Sequence, residues 1–321
     1  KSSKILDIPN FQSPRQFYDS TPCPERQRGG SGNATELLKT FLDFRGENYQ
    51  KEMSSPISAE QSCSRLSTHF VFGTLSTRVA FYEASHRQKE LQGTNKNFVR
   101  SINSFLSRLH WRSHFIQKLE DEPSIEDKNF ISIYDNLRDE DEIKLKTWIE
   151  GRTGIPFIDA CMIYLRNHGW INFRMRAMLA SFAAYNLWLD WRFYAPHLAA
   201  LFTDFEPGIH YSQVQMQSGT TGINAIRVYN PYKQSEDQDP NGIFIRKNIP
   251  HLKEVPLNIL HYPDNITPFE EQLLPKEWKK PIVDVNQTSK EAKDKIFSLR
   301  KMINHKILAK SVYIKHGSRK N

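Results

Sequence analysis

Cysteine is scarce in this 321-residue chain, which has three thiols, at Cys23, Cys63 and Cys161. They lie far apart and form no C-x-x-C pair. The sequence therefore has neither a disulfide framework nor the four thiolates of an iron–sulfur cluster. We expect no metal site and a reducing, intracellular setting, which we predict to be cytoplasmic.

Long apolar runs are also missing. No stretch of 18 apolar residues occurs, and even the segment from Met175 to Trp191 is interrupted by Arg176, Asn186 and Asp190. A membrane span needs about 20 consecutive apolar residues, so we expect no membrane partner. The first residues do not resemble a signal peptide either.

Strand signals are weak, and the chain has no Walker motif, G-x-G-x-x-G, H-E-x-x-H or G-x-S-x-G. What it does have is a net charge of +8, 12% aromatic residues, and six tryptophans that all lie between Trp111 and Trp278. This charge fits an anionic partner such as nucleic acid, although it does not require one. The fold class that we predict is all-α, with few or no strands.

Composition divides the chain into three parts. Residues 1–35 are rich in proline and glycine, which predicts a linker or an extended arm. Residues 36–255 form the main helical domain, and residues 256–321 form a basic C-terminal extension with a helix around 289–303. Because the chain starts without methionine, we expect that it begins partway through a longer protein.

The segment from Trp148 to Trp191 is the centre of the chain. Apolar residues recur there at helical spacing up to Gly169, which is typical of a helix end. A second helix, from about Ile171 to Trp191, is apolar on nearly every face and should be buried. It contains Arg174 and Arg176, and a buried guanidinium needs an anion. Nearby carboxylates, a ligand phosphate or a nucleic-acid backbone would serve, and one surface arginine with one structural ion pair is the simpler alternative.

Hydroxyl side chains crowd the segment from Met53 to Arg78, where Ser62, Ser64, Ser67 and Thr68 surround Arg65. Hydroxyls and backbone N–H groups at a helix start can bind a diphosphate. Ordinary capping turns explain the same pattern, because serine and threonine favour N-caps.

A long helix is predicted from Phe98 to Glu120, with Trp111 between Arg108 and Arg112. The indole can stack on a base while the cations hold phosphate, or it can belong to the core. The later segment 207–231 has glycines among polar, uncharged residues. We predict an irregular backbone that lines a site.

The pattern W-x-E-G-R-T-G-x-P-x-x-D-A-x-M-x-x-L-x-x-x-G-W-x-x-x-x-x-R, at 148–176, resembles the signature of the photolyase/cryptochrome family's flavin-binding helical domain. Further segments fit in family order: Tyr49, C-S-R-L-S at 63–67, L-H-W-R at 109–112, and R-V-Y-N-P at 227–231. The resemblance covers about residues 36–255. The family's N-terminal α/β antenna domain has no counterpart here, and such a domain is a possible missing partner.

The resemblance implies a U-shaped, non-covalently bound FAD. Tyr49, Ser64 and Ser67 would lie near its diphosphate, and Arg176 with Asp204 would form a buried ion pair near the isoalloxazine ring. The full set of residues expected to bind the cofactor is Tyr49, Cys63, Ser64, Arg65, Leu66, Ser67, Arg108, Trp170, Arg176, Asp204 and Glu206.

The resemblance also implies a DNA photolyase that acts on UV-damaged DNA. Trp111 would stack on a flipped pyrimidine dimer, and light-driven electron transfer would split it. The residues expected to act in catalysis are Trp191, Trp111 and His210. Those expected to bind DNA are Trp111, Arg112, Arg174 and Arg227.

Several positions depart from the family's repair enzymes. Arg108 stands where they have a glutamate, His210 lies near the place of an asparagine beside the flavin, and Phe173 takes the place of a second asparagine. The histidine pair of the enzymes that repair the (6-4) photoproduct falls near Phe173 and Ala177.

Of the family's tryptophan electron-transfer chain, Trp191 matches, whereas Val214 occupies the position nearer the flavin. Tyr211, Trp188 or Trp170 would then have to relay an electron. Two alternatives to a photolyase follow. One is a cryptochrome-like photoreceptor that binds FAD without repair, and the other is a nucleic-acid-binding helical protein that has lost its flavin.

Overall fold

The computed structural model describes residues 22–272 and 274–317, and this part of the chain is helical throughout. Within these residues the only β pairing is a single parallel bridge between Asp139 and Leu189. The predicted all-α class is therefore confirmed. The helices are α1 (Ser31–Asp43), α2 (Tyr49–Glu52), α3 (Ala59–Ser62), α4 (Ser67–Val71), α5 (Thr77–Glu90), α6 (Lys96–Asp121), α7 (Glu142–Ile149), α8 (Pro156–His168), α9 (Phe173–Ser181), α10 (Trp191–Leu201), α11 (Pro207–Ser218), α12 (Pro231–Gln238), α13 (Ile243–Asn248), α14 (Leu257–His261), α15 (Pro268–Gln272), α16 (Val285–Lys301) and α17 (Ile303–His316).

The long helix α6 organises the smaller of two hydrophobic clusters. Asn95 caps its first turn, because the Asn95 side chain accepts a hydrogen bond from the Phe98 N–H at 3.0 Å. Apolar residues three or four positions apart then bury one face of α6 against α1 and α2, at about 1.5–3 kcal/mol for each large side chain. The prediction of a helix from Phe98 to Glu120 is confirmed. The buried residues of the cluster include Phe41, Leu42, Tyr49, Phe98, Ile102, Phe105 and Leu109.

The larger cluster surrounds α8. Pro156 begins this helix, and Gly169 ends it in the left-handed conformation (φ 63°), as predicted. The Asp159 carboxylate accepts hydrogen bonds from the Thr153 hydroxyl and from the backbone N–H groups of Thr153 and Gly154. Burial raises the pKa of Asp159 to about 6, and these three bonds limit the rise. The loop before α8 is thus tied to its first turn.

The predicted helix from Ile171 to Trp191 is too long. Helix α9 covers its first half, Phe182–Asn186 forms a π turn, and the chain then leaves the helix, with Trp188 left-handed (φ 57°). Asp190 starts α10 as a capping residue, since its carboxylate accepts a hydrogen bond from the Arg192 N–H at 2.8 Å. In a segment that is apolar on every face, the hydrophobic periodicity does not change where a helix ends. The sequence pattern therefore could not show this end. The predicted burial is nevertheless confirmed.

The prediction of an irregular backbone at 207–231 is wrong for its first half, which is α11. Pro207 stands at the first helical position, where its missing N–H costs nothing, and Gly219 ends the helix (φ 74°). Polar side chains of this helix form hydrogen bonds with other segments of the chain. Gln215, for example, donates to the carbonyl oxygens of Ile125 and Lys128 at 2.9 Å each.

The chain ends differ from their predicted form. The predicted arm falls mostly on residues 1–21, which lie outside the described residues, but α1 already begins at Ser31. In the predicted extension, α16 packs into the main core through Val285, Ala292 and Ile296, and α17 follows as a second helix beyond the predicted one. The division at residue 255 stays a prediction.

None of the helices in the part of the chain that the structure describes is long and apolar enough to span a bilayer.

Candidate functional site

The loop at 63–67 is fixed by Arg45, which sequence analysis did not single out. The Arg45 guanidinium donates to the carbonyl oxygens of Gln61 and Cys63, at 2.7 Å each, and of Leu37, at 2.9 Å. Two residues further on, Arg65 takes a left-handed backbone (φ 61°), which a residue other than glycine adopts only where its surroundings impose it. The loop is therefore held in one defined conformation.

Arg65 covers the indole of Trp170, with the guanidinium carbon 3.9 Å from the ring centroid. Trp170 is buried, and the Gln27 amide holds the backbone at Arg65 through a hydrogen bond of 2.8 Å to its carbonyl oxygen. The Arg65 Nε–H is buried and has no acceptor in the part of the chain that the structure describes, and burial lowers the pKa of Arg65. A buried donor without a partner costs free energy, so this position favours an added acceptor.

Gly169 fixes the position of Asp204 relative to Arg176. Its backbone lies so close to Thr203 that a Cβ would be 2.2 Å from the Thr203 hydroxyl, and the Thr203 N–H donates to the Gly169 carbonyl at 2.9 Å. This contact aligns the segment before α11 with the start of α9. Asp204 therefore comes opposite Arg176.

Arg176 and Asp204 form a two-bond ion pair, with N–O distances of 3.0 and 2.9 Å. The Arg176 Nε–H donates to the Ile171 carbonyl at 2.7 Å, and the guanidinium lies 4.2 Å from the centroid of the Phe202 ring. Burial would raise the pKa of Asp204, but Arg176 and the Ser67 hydroxyl bring this pKa below its ordinary value. The carboxylate is ionised at neutral pH, and the pair is a fixed dipole.

A second ion pair joins α6 to the start of α11. A Cβ at Gly208 would lie 2.9 Å from the Ile116 Cα, so only glycine allows the two helices to come this close. As a result the Arg112 guanidinium reaches the Glu206 carboxylate at 2.9 Å, with both side chains largely buried. Arg112, which was predicted to bind DNA, is thus paired with Glu206, which was predicted to bind the cofactor.

His210 is buried one turn into α11. Its Nε2 lies 3.0 Å from the Ala195 carbonyl oxygen, which requires a proton on Nε2, and its ring contacts Phe202 and Phe205 edge to face. Burial lowers the pKa of His210 to about 4. The imidazole is therefore neutral at pH 7, with its one N–H directed at the backbone of α10. Its predicted catalytic role stays a prediction.

Trp111 lies at the surface of α6, with 41% of its area exposed. Its ring stacks on Phe115, with centroids 5.7 Å apart and an interplanar angle of 30°. The alternative that Trp111 belongs to the core is therefore wrong. Arg108, one turn earlier, is also exposed and lies 5.6 Å from the half-exposed ring of Phe173.

Tyr49 links this exposed face to the loop at 63–67. Burial raises the pKa of Tyr49 to about 12, Cys63 raises it further, and the neighbouring Arg108 guanidinium opposes the rise. Cys63 in turn is near Arg65 and Arg176, and burial raises its pKa to about 12 as well. These residues are therefore neighbours. We call them the cluster, which reaches the surface at Arg108 and consists of Tyr49, Cys63, Arg65, Arg108 and Arg176.

The remaining predicted arginines lie around this cluster. Arg174 is half-buried on α9, and its Nε–H is buried without an acceptor. Arg227 is exposed, and its segment is attached to α9 because the Tyr229 N–H donates to the Ser181 hydroxyl at 3.0 Å. Leu66 is fully buried and Ser64 half-buried, which makes Leu66 a packing residue of the loop.

The predicted electron-transfer residue Trp191 is buried. Its indole N–H donates to the Asn129 side chain at 2.7 Å, and its ring lies 6.1 Å from that of Tyr211. Trp188 differs, because Arg138 and Lys295 lie 4.9 and 4.5 Å from its ring centroid. Two adjacent cations oppose loss of an electron from that ring.

Asn172 is a further residue that sequence analysis missed. Its amide donates to the carbonyl oxygens of Met53 and Ser54, at 3.0 and 2.8 Å. The start of α9 thereby holds the segment that leads into the loop at 63–67. The predicted helix began at about Ile171, so Asn172 fell inside it, and no sequence pattern indicated its bonds to these carbonyls.

The face of the Trp170 ring is covered by the Arg65 guanidinium. The two best-formed cavities of the described residues lie elsewhere: one of about 100 Å³ is lined by Val255, Ile259 and Leu274, and a much smaller one lies beneath α17. A ligand on the Trp170 ring would therefore have to displace the Arg65 guanidinium. Across residues 22–272 and 274–317, no three His, Cys, Asp or Glu side chains are arranged to hold a metal ion.

A family profile described as the FAD-binding domain of DNA photolyase matches residues 105–298, which is more than half of the chain. A deoxyribodipyrimidine photo-lyase of Alkalihalophilus pseudofirmus is 30% identical over 271 residues, covering 82% of this chain and 54% of that protein. A cryptochrome DASH of Synechocystis is 27% identical and covers 92% of this chain and 62% of that protein.

Solved structures agree with these sequences. A bacterial class III photolyase from Agrobacterium tumefaciens superposes with a TM-score of 0.76 at 26% identity, over 85% of this chain and 56% of that one. An archaeal photolyase from Sulfolobus tokodaii, solved with two FAD molecules, has a TM-score of 0.69 at 32% identity, over 85% and 57%. The chain spans somewhat more than half the length of these relatives.

Proposed function

Since the chain belongs to the photolyase/cryptochrome family and carries its FAD-binding domain, we propose that it is an FAD-dependent DNA photolyase that uses light to split a pyrimidine dimer flipped out of DNA. The observation that carries the proposal is the connection through Tyr49. On one side of this tyrosine lie Cys63 and the fixed loop, and on the other lie Arg108 and the exposed surface of α6. The residues predicted to bind the cofactor thus lie next to the surface where Trp111 would stack on a base.

The residues present fit FAD. The unpaired Nε–H of Arg65 and the hydroxyl of Ser64 are donors that a diphosphate can accept from, whereas the Ser67 hydroxyl already donates to Asp204. The Arg176–Asp204 pair would lie near the isoalloxazine ring. When bound, FAD supplies light absorption and a transferable electron.

The protein's own residues position the reactants. The Arg176 guanidinium is held by the Asp204 carboxylate and the Ile171 carbonyl, so the ion pair presents a fixed dipole that needs no rearrangement. Trp111 offers its exposed ring to a flipped base, and Arg174 and Arg227 add positive charge for phosphates. Arg112 contributes less charge, since Glu206 already pairs with it.

The test has two steps. The purified chain is examined for flavin absorbance, with FAD added if necessary, and is then illuminated under reducing conditions with an oligonucleotide that contains one cyclobutane dimer. We expect flavin binding and restored pyrimidines, with no restoration in the dark. No flavin binding would contradict both a photolyase and a photoreceptor, and would favour a nucleic-acid-binding protein without flavin.

A cryptochrome-like photoreceptor is the second candidate. It is favoured by Arg108 and Phe173, which put a cation and an apolar ring on the face where the family's repair enzymes have acidic or amide side chains. Flavin binding without repair would support it. In either case we expect Trp191→Phe to slow photoreduction of the flavin, with Trp188→Phe as the control, because two cations oppose oxidation of Trp188.

A cytoplasmic location and an antenna domain ahead of this chain stay predictions. The three cysteines are free thiols, which supports a reducing compartment.

A further inference from the structure

The exposed face of α6 carries a guanidinium that has no carboxylate partner. Arg108 lies one turn before Trp111, and among the described residues no acidic side chain is within ion-pair distance of it. Arg112, one turn further, is paired with Glu206. The Arg108 guanidinium also interacts with the Tyr49 hydroxyl, and its remaining N–H donors lie beside the exposed rings of Trp111 and Phe173.

We propose that Arg108 makes this site prefer pyrimidine dimers that contain cytosine over dimers of thymine or uracil, an inference that rests on the proposed function. A base stacked on Trp111 would direct an edge toward a side chain one turn away on the same helix. Arg108 is thus the residue that meets that edge.

The preference follows from hydrogen-bond chemistry. A guanidinium has five N–H donors and no acceptor. The pairing edge of cytosine has two adjacent acceptors, N3 and O2, which a guanidinium fork can bind together, as it binds the two acceptors of guanine. Thymine and uracil carry a hydrogen on N3, so a donor would face a donor. Leaving that N–H unpaired in the stacked complex should weaken binding roughly ten- to hundredfold.

One contact would instead increase the affinity for thymine. The Phe173 ring could contact the C5-methyl group of thymine, and burial of one such group is worth roughly fourfold in affinity. This gain is smaller than the expected loss at N3. Phe173 also has a cation near its ring, at 5.6 Å, which keeps that surface partly polar.

The test uses one oligonucleotide in two chemical states. A cyclobutane dimer is formed at a single thymine–cytosine site, and half of the sample is left to deaminate, which converts the cytosine to uracil. The two forms differ at the pairing edge and share the same missing methyl group. Dissociation constants are measured in the dark, with undamaged oligonucleotide as reference and with the flavin content of each sample recorded.

We expect the cytosine form to bind roughly ten- to hundredfold more tightly than the uracil form. Arg108→Gln should bring the ratio near one, because an amide both donates and accepts, and Arg108→Glu should reverse it, because a carboxylate accepts from N3–H. Arg100→Gln, an exposed arginine two turns earlier on α6, is the matched control and should keep the wild-type ratio.

Equal affinity for the two forms, or an unchanged ratio in Arg108→Gln, would overturn the inference and leave the proposed function standing. If neither damaged form binds more tightly than undamaged DNA, the proposed DNA site itself is wrong, and the inference is lost with it.

Discussion

The cluster has a buried side and an exposed side, and they differ in how their charges are paired. On the buried side, Arg176 directs its donors at Asp204 and at a backbone carbonyl, and Arg45 directs its donors at backbone carbonyls and a threonine hydroxyl. On the exposed side, the Arg174 Nε–H is a donor that nothing in the described chain accepts, and Arg108 pairs with no carboxylate of the described residues. The same residue type is structural on one side and available to a ligand on the other.

This difference indicates where a mutation acts. Removal of a partner on the buried side leaves a charge that has lost its compensation, so folding stability should suffer. Removal of a donor on the exposed side leaves the protein intact and weakens binding. The predictions below test this distinction, beginning with the largest effect.

Asp204→Ala should have the largest effect. It leaves the Arg176 guanidinium without its carboxylate, and breaking a buried pair in this way should lower the free energy of unfolding by about 3 kcal/mol. Chemical denaturation measures the change. Asp237→Ala is the control, because its ion pair with Lys233 is exposed and should matter little. A loss as small as that of the control would mean that Arg176 finds another acceptor.

His210 should make stability depend on pH. Its pKa is 6.5 when unfolded and about 4 when folded, so the unfolded chain binds a proton at higher pH than the native one. Stability is therefore complete above pH 6.5, falls as the pH is lowered toward 4, and then levels off, with a total loss of about 3 kcal/mol. The pKa of Asp204 lies below its ordinary value, which places its own titration below this window.

Denaturation curves between pH 4 and 7 measure this slope. His210→Gln keeps an N–H for the Ala195 carbonyl and has no titration, so its stability should be flatter across the window than that of the wild type. Parallel curves for the two proteins would contradict a buried, neutral His210.

Trp111→Ala tests the exposed side. The ring is 41% exposed, so the fold should persist, and loss of stacking should weaken binding of a dimer-containing oligonucleotide by ~1–3 kcal/mol. Binding to undamaged duplex should change little. Fluorescence anisotropy with matched damaged and undamaged oligonucleotides gives both values. Unchanged affinity for the lesion, with a native far-UV spectrum, would remove Trp111 from the site.

Sequence periodicity located the exposed side well. Helix α6 has polar and apolar faces, so its extent could be predicted, whereas the sequence left the place of Trp111 open between the core and the surface. The buried side was harder, because α9 and the π turn after it are apolar all round and show no sign of the break before Trp188. Only the capping carboxylate of Asp190 marks the restart.

The resemblance supplied what periodicity could not, namely the pairing of Arg176 with Asp204, and the geometry confirms this pair. Neither approach found Arg45 or Asn172, whose bonds go to backbone carbonyls. A carbonyl is present at every residue, so the sequence carries no signal for such a bond. The helical state of α11 was missed for a related reason, since buried polar side chains such as Gln215 resemble those of a loop.

Arg174→Gln should have the smallest effect, and it should differ in kind from that of Trp111→Ala. Arg174 is expected to contact a phosphate, so its loss should weaken damaged and undamaged DNA equally and reduce the slope of log affinity against log salt by about one. Titrations at several salt concentrations measure that slope. Because the Arg174 Nε–H has no acceptor among the described residues, its removal should not lower stability. A selective loss for damaged DNA would instead place Arg174 at the lesion, and an unchanged slope would show that its charge is not used.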